Sequence, residues 1–132
     1  MGRTVALVTD LIQNNCTRMC NNKKIWKCGV CGYIHQGDEA PDFCPKCRAP
    51  KERFAELSSE DAEKIYKSER TNDIHMEIIL LATKIRELAK EGLEINLDPP
   101  CAALFGDAIK EAQIIRQRSK AELEGHMKKG KW

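Results

Sequence analysis

The sequence predicts an α+β protein in which a small metal-binding module precedes an antiparallel helical hairpin. Two Cys-x-x-Cys pairs, separated by twelve residues, lie in a short stretch that also holds most of the aromatic residues. The segment after this stretch carries apolar residues at helical spacing, and residues suited to capping helices stand before it and within it. These features divide the chain into an N-terminal helix or arm (1–24), the module (25–57) and the hairpin (58–132).

The two cysteine pairs predict a tetrahedral metal site made by Cys28, Cys31, Cys44 and Cys47. Each Cys-x-x-Cys turn can offer two thiolates to one ion. Four thiolates at about 2.3 Å suit zinc or a mononuclear iron far better than hard cations. One pair alone is a weak motif, but two pairs joined by a spacer of this length are a strong one.

The cysteines belong to a longer pattern. Trp26 to Tyr33 reads WKCGVCGY, and it is followed by Ile34-His35-Gln36-Gly37, by Ala40-Pro41, and by Cys44-Pro45-Lys46-Cys47. From Trp26 to Leu57 the sequence resembles a rubredoxin-like domain of the short-spacer type found in rubrerythrins. This resemblance implies that the four cysteines ligate one iron per chain, which cycles between the ferrous and ferric forms. A structural zinc ribbon, which uses the same four ligands, is the alternative.

Residues around the thiols indicate how such a module is built. Gly32 directly follows the second cysteine of its turn, where a positive φ lets the backbone direct N–H groups at sulfur. The second turn departs from the family pattern with Arg48 where glycine is frequent, which puts the detailed geometry of that turn in question. A module this small also needs an apolar core. We expect an aromatic one, made by Trp26, Tyr33, Phe43 and Phe54.

Capping signals and apolar spacing define the helices. Ser58 and Asp61 have the spacing of a capping box, which predicts a helix that runs to Gly92 with a kink or a new cap at residues 71–73. Its apolar residues form a seam for another helix: Ile74, Ile78, Leu81, Ile85 and Leu88. Asp98, followed by two prolines, predicts the start of a final helix. The matching stripe on that helix is Leu104, Ala108, Ala112, Ile115, Ser119 and Leu123.

A two-helix hairpin cannot bury both of its faces alone, because helices in proteins are stabilised mainly by tertiary packing. Either the N-terminal helix or a second copy of the chain must cover it. We expect a homodimer formed through the helices, because two-fold dimers are the commonest oligomers. Residues 58–132 are therefore predicted to be an oligomerisation or docking region.

Several polar residues and cysteines are expected to have no special role. Cys16, Cys20 and Cys101 are interpreted as ordinary free cysteines. His35 is expected in a surface loop, and His75 and His126 at solvated or bundle-edge positions. The late basic residues are expected on a solvated face: Arg116, Arg118, Lys120, Lys128, Lys129 and Lys131.

Composition excludes some classes of protein. The net charge of +2 does not mark a nucleic-acid binder. No apolar run approaches the roughly 20 residues that a membrane span requires. Seven cysteines, four of them assigned to metal, fit a reducing cytoplasm better than a disulfide scaffold.

These features favour an electron-transfer protein or electron-relay subunit, which serves redox donor and acceptor proteins and has neither catalytic residues nor a further cofactor. A structural zinc-ribbon interaction protein and a rubrerythrin-like peroxidase component are the alternatives. The peroxidase requires Glu-x-x-His pairs for a di-iron site. Gly32, Asn72 and Leu123 stand three residues before the three histidines. The sequence therefore predicts no di-iron centre, and an electron carrier rather than an independent enzyme.

Overall fold

The computed structural model describes residues 23–132, and it has an α+β architecture. A three-stranded antiparallel sheet is followed by two long helices, which confirms the predicted fold class. The predicted N-terminal helix, apart from its last two residues, lies outside the described residues together with Cys16 and Cys20. The chain divides into two compact units, Met1–Tyr66 and Lys67–Trp132.

The sheet has the order β2-β1-β3, in which β1 is Ile25–Cys28, β2 is Ile34–Gln36 and β3 is Phe54–Glu56. Trp26 of the central strand is opposite His35 on one side and Glu56 on the other. His35 is therefore half-buried in a strand, and the expectation of a surface loop was wrong. A single turn of 3₁₀ helix, Lys51–Arg53, leads into β3.

The core of this unit is built around the cysteines. Cys28, Cys44, Ala40 and Phe54 are buried together, and Trp26 packs against them while its indole Nε1 donates to the Gly37 carbonyl oxygen at 3.2 Å. Tyr33 also packs on this cluster, as expected. Phe43 does not: its side chain is 62% exposed. The aromatic core therefore contains three of the four predicted residues.

The first helix, α1, spans Ser59–Ile95 without interruption. Ser58 caps it, because its Oγ accepts a hydrogen bond from the Asp61 N–H at 3.2 Å. Tyr66 Oη donates to the Lys23 carbonyl oxygen at 2.6 Å and so ties the start of the helix to the chain leading into β1. The predicted kink or new cap at residues 71–73 was wrong, since Asn72 bonds to residues near the C-terminus instead.

The second helix, α2, spans Pro99–Lys128 and begins as predicted. Asp98 Oδ1 accepts from the Cys101 N–H at 2.8 Å, and prolines fill the first two helical positions, where no intrahelical N–H partner is needed. Within residues 23–132, neither helix combines the length and apolar character that a membrane crossing requires.

The two helices run antiparallel and meet along a seam of small and polar residues. Ala82 and Ala89 of α1, and Ala112 of α2, are almost fully buried. A Cβ on Gly92 would lie 2.5 Å from the Phe105 ring, so a larger residue at this position would force the ring to move.

Hydrogen bonds between the helices fix their register. Arg116 Nε donates to Thr83 Oγ1 at 3.0 Å. The expectation that this arginine lies on a solvated face was therefore wrong. Near the C-terminus, Asn72 Nδ2 donates to the Lys131 carbonyl oxygen at 2.8 Å, and Asn72 Oδ1 lies 2.5 Å from His126 Nδ1. The ring of His75 packs edge-on against His126, with 6.1 Å between centroids. Both histidines therefore lie half-buried on the seam rather than at solvated positions, which leaves the bundle-edge alternative.

The large apolar residues of the hairpin form a separate face, which we call the exposed stripe. In α1 it contains Ile74, Leu81, Ile85 and Leu88, and in α2 it contains Leu104 and Ile115. All but Ile85 directly precede a residue named above in the seam, and one step back along two antiparallel helices turns toward the same side of the hairpin. The predicted apolar residues of α1 therefore lie mainly on the surface and do not join the two helices. In the predicted stripe of α2, Ala112, Ser119 and Leu123 are buried, as expected.

Candidate metal centre

Two loops with the same hydrogen-bond pattern carry the four cysteines. In the first loop, the Gly32 N–H donates to the Cys28 carbonyl oxygen at 2.9 Å, and the Cys28 N–H donates to Tyr33. In the second, the Arg48 N–H donates to the Cys44 carbonyl oxygen at 2.9 Å, and the Cys44 N–H donates to Ala49. Each loop thereby curls back and brings its two sulfurs to the same side.

The loops also share a left-handed residue after the second cysteine. Gly32 has φ of 79° and Arg48 has φ of 65°. The doubt about the second turn is resolved, because Arg48 adopts the backbone conformation that glycine supplies in the first turn. A non-glycine residue pays for this conformation with a steric cost of about 1–2 kcal/mol. The second loop therefore carries backbone strain that the first does not.

The four thiol sulfurs are brought together at the spacing that one metal ion requires. Sγ of Cys28 lies 3.7 Å from Sγ of Cys47, and Sγ of Cys31 lies 3.5 Å from Sγ of Cys44. All four sulfurs lie within 4.8 Å of one another. A tetrahedron with metal–sulfur bonds of about 2.3 Å has edges of about 3.8 Å. The donor set therefore fits a four-coordinate thiophilic metal without rearrangement.

Backbone N–H groups stabilise negative charge on the inner pair of sulfurs. N–H groups of Cys31 and Val30 lower the pKa of the Cys28 thiol below its usual value. Burial tends to raise the pKa of Cys44, but the N–H groups of Cys47 and Lys46 outweigh it and lower that pKa to about 6. The two loops thus use equivalent donors, from the second and third residues after the first cysteine of each pair.

The pKa of the Cys47 thiol is shifted in the opposite direction. The Ala49 N–H lowers the pKa of its thiol, but burial and hydrogen bonding with the other three sulfurs raise that pKa to about 12. The Cys47 thiol therefore holds its proton more strongly than the Cys28 and Cys44 thiols do. Metal binding displaces such protons, because the thiolate is the ligand.

The sulfurs differ in exposure. Cys28 and Cys44 are 1% and 0% exposed, whereas Cys31 and Cys47 are half-buried and reach the surface. The first cysteine of each pair is therefore a core residue, and the second faces outward. A metal in this position is close to solvent on one side only.

Among residues 23–132, these four cysteines are the only set of three or more histidine, cysteine or acidic side chains close enough to hold one ion. Cys101 lies apart from them in the first turn of α2, where the neighbouring Asp98 carboxylate raises the pKa of its thiol. Sequence reasoning missed Ala40 and the outward position of Phe43. The small side chain of Ala40 was the available signal for close packing beside the second loop.

The family model for "Rubrerythrin, rubredoxin-like domain" matches residues 26–55. Curated relatives carry the same name or a related one. Reverse rubrerythrin-1 of Clostridium acetobutylicum is 37% identical over 78 residues, which are 59% of this chain and 38% of that protein. The rubrerythrin of Nitratidesulfovibrio vulgaris is 52% identical over 29 residues, 22% of this chain and 15% of that protein. The rubrerythrin of Clostridium perfringens is 53% identical over 30 residues, with similar shares.

The chain thus spans less than two fifths of the length of each of these relatives. The match to the reverse rubrerythrin is longer than the metal module, so it extends beyond the segment that the family model covers. The module itself combines the family's sequence pattern with two matching loops and four convergent sulfurs. Residues 26–55 therefore form a rubrerythrin-type rubredoxin-like domain, whose four cysteines make a metal site.

Proposed function

We propose that this chain is an electron-transfer protein or electron-relay subunit that uses one iron bound by Cys28, Cys31, Cys44 and Cys47. It takes one electron from a reduced donor protein and gives one electron to an oxidised acceptor protein, with no transfer of atoms. The outward position of Cys31 and Cys47 carries the proposal, because an electron can enter or leave only where the centre approaches the surface.

The residues around the sulfurs suit this task. When bound, iron would supply a one-electron ferrous/ferric couple. The paired N–H donors of the two loops stabilise the negative charge of the thiolates, and hydrogen bonds to sulfur are a general means of adjusting the potential of an iron–thiolate centre. Buried Phe54 and Ala40 keep water away from the inner sulfurs, which limits rearrangement when the charge changes.

Replacement of a ligand tests the assignment. We expect Cys44→Ala to abolish the visible absorption of the iron-loaded protein and to unfold residues 26–57, because metal binding and folding are coupled in so small a module. Cys101→Ala is the matched control and should retain both the colour and the fold. Full iron content in the Cys44 variant would contradict the ligand set. A colourless parent that holds zinc would instead favour the structural zinc-ribbon alternative.

We propose further that two chains associate through the exposed stripe. Burying a leucine or isoleucine fully is worth about 1.5–3 kcal/mol, so six half-exposed residues per chain represent a large stabilisation that the described hairpin leaves unused. Exposed apolar surfaces of this extent are uncommon on monomers. A second hairpin placed against the stripe would complete a four-helix bundle.

The double variant Leu81→Asp with Leu88→Asp, at two positions of the exposed stripe that are seven residues apart, tests the dimer. In a buried stripe these changes should cost several kcal/mol, so sedimentation should show a monomer or aggregate while the iron spectrum is kept. The matched control is Met76→Asp with Leu80→Asp, two exposed apolar residues of α1 outside the exposed stripe. A parent that sediments as a monomer, or equal effects of the two double variants, would refute the dimer.

A further inference from the structure

The surface around the outward sulfurs, which we call the metal edge, consists of the two loops 27–33 and 43–49. These loops contain three basic residues and no acidic residue. Lys27, Lys46 and Arg48 are all exposed, and none of them forms an ion pair with another residue of the described chain. The Lys27 side chain reaches along the first loop, where its Cε is the atom nearest to a Cβ built on Gly32.

Two acidic side chains of the module are engaged in ion pairs. Glu39 is paired with Lys51 at 3.2 Å, and Glu56 of β3 is paired with Lys24 at 3.6 Å. The acidic residue nearest to the metal edge in sequence is Asp42, which is exposed and stands directly before the second loop. The three unpaired cations of the metal edge therefore face solvent without local neutralisation by carboxylates of their own loops.

Two apolar side chains complete the metal edge. Val30 is 56% exposed and Phe43 is 62% exposed. The similar folding of the two loops relates Val30 to Lys46 and relates Phe43 to Lys27. The first loop presents one cation and one apolar group, and the second presents two cations and one apolar group. An apolar contact surrounded by charge is the usual composition of a protein interface, in which the charges set partner choice and association rate.

We infer that the metal edge docks an acidic redox protein, whose carboxylates meet Lys27, Lys46 and Arg48 while its own centre approaches Cys31 and Cys47. This inference rests on the proposed function and names the chemistry of the partner. One electron passes between the two centres, and the partner is reduced or oxidised accordingly. Exposed charges of this kind act mainly by steering encounter, so their effect falls as ionic strength rises.

The experiment measures oxidation of the reduced, iron-loaded full chain by stopped flow, with two protein oxidants of opposite charge. One is an acidic blue-copper protein and the other is a basic c-type cytochrome. Between about 20 and about 300 mM salt, screening should slow the reaction with the acidic protein several-fold. The reaction with the basic protein should be unchanged or faster. A fall in rate with the basic protein alone would overturn the inference.

A charge reversal with a matched control assigns the effect to the metal edge. Lys46→Glu should remove most of the salt dependence with the acidic protein. Lys23→Glu changes the net charge equally, but Lys23 lies before the start of β1, whereas Cys28 is at the other end of that strand. This variant should therefore change the rate less than two-fold. Equal effects of the two variants, or no reaction with either protein, would overturn the inference.

Failure of the proposed function is distinguishable from failure of the docking inference. If the chain holds no redox-active iron, no visible bands bleach when reductant is added, and both proposals fall. If the bands bleach reversibly but the salt dependence has the wrong sign, only the acidic partner is refuted. A visible spectrum that is the same in the parent and both variants confirms that the metal site is intact in each.

Discussion

The two metal loops carry different residues at one equivalent position, where the backbone has a positive φ. Replacing glycine there in the first loop, and introducing glycine there in the second, should change the stability of the module in opposite directions. Gly32 and Arg48 both have positive φ, at 79° and 65°. A Cβ on Gly32 would lie 4.0 Å from its nearest neighbour, Lys27 Cε, so space does not oppose alanine. The cost of Gly32→Ala is therefore that of the backbone alone, about 1–2 kcal/mol.

Arg48→Gly should give the opposite result. It relieves the strain of a non-glycine residue in the left-handed region, but glycine also loses more backbone entropy on folding. The net gain should therefore be smaller, about 0.5–1 kcal/mol. The hydrogen bond from the residue 48 N–H to the Cys44 carbonyl oxygen is kept in this variant, because it uses the backbone only.

Metal affinity is the appropriate measurement, since metal binding and folding of the module are coupled. Competition between the protein and a chelator for Co²⁺ should show Gly32→Ala binding about 5–30-fold more weakly than the parent, and Arg48→Gly about 2–5-fold more tightly. Lys46→Ala, in the same loop but at a position with ordinary backbone angles, is the control and should change the affinity less than two-fold. Unchanged affinity for Gly32→Ala, or weaker binding by Arg48→Gly, would refute the reasoning.

Three further predictions concern the helices and the metal content. Iron-reconstituted protein should contain about one iron per chain, because no Glu-x-x-His pair is present for a di-iron site; a reproducible count of about three by elemental analysis would contradict this. Asn72→Ala should lower the free energy of unfolding by about 1–3 kcal/mol in denaturant titrations of the helical signal, because it leaves the buried His126 Nδ1–H and the Lys131 carbonyl oxygen without their partner. Exposed Thr71→Ala is its control, and an equal loss in both variants would count against the polar seam. The Cys101 N–H lowers the pKa of Asp98. The cap therefore stabilises the folded state above the unfolded pKa, and this stabilisation is lost as pH falls through the lower folded pKa. The free energy of unfolding of Asp98→Asn should change less over this pH range than that of the parent, and an identical pH profile would contradict the prediction.

The sequence predicted the module well because its determinants are local. The four cysteines, Gly32 and the capping residues Ser58 and Asp98 act over a few residues, and short-range spacing is visible in a single sequence. The structure places Gly32 and both caps as their spacing implies. Phe43 was misassigned for a related reason: being aromatic and near a cysteine does not determine which way a side chain in a short loop points.

The hairpin shows what spacing does not determine. The strongest apolar pattern, from Ile74 to Leu88, lies one residue before the positions that join the helices. The residues buried within the hairpin are instead small ones, Ala82, Ala89 and Ala112. The sequence predicts a kink or a new cap at residues 71–73, but the Asn72 amide instead donates to the Lys131 carbonyl oxygen across the seam. A local sequence pattern does not reveal partners that lie so far apart along the chain.

The measurement that tests the central claim most directly is the visible spectrum and metal content of the chain purified from its native host. A host preparation avoids the loading of zinc into an iron site during recombinant expression. The account predicts about one iron per chain and strong visible bands that bleach on reduction and return on reoxidation, as expected of a four-thiolate iron centre. A colourless protein that contains one zinc per chain would contradict it and would make the four cysteines a structural site.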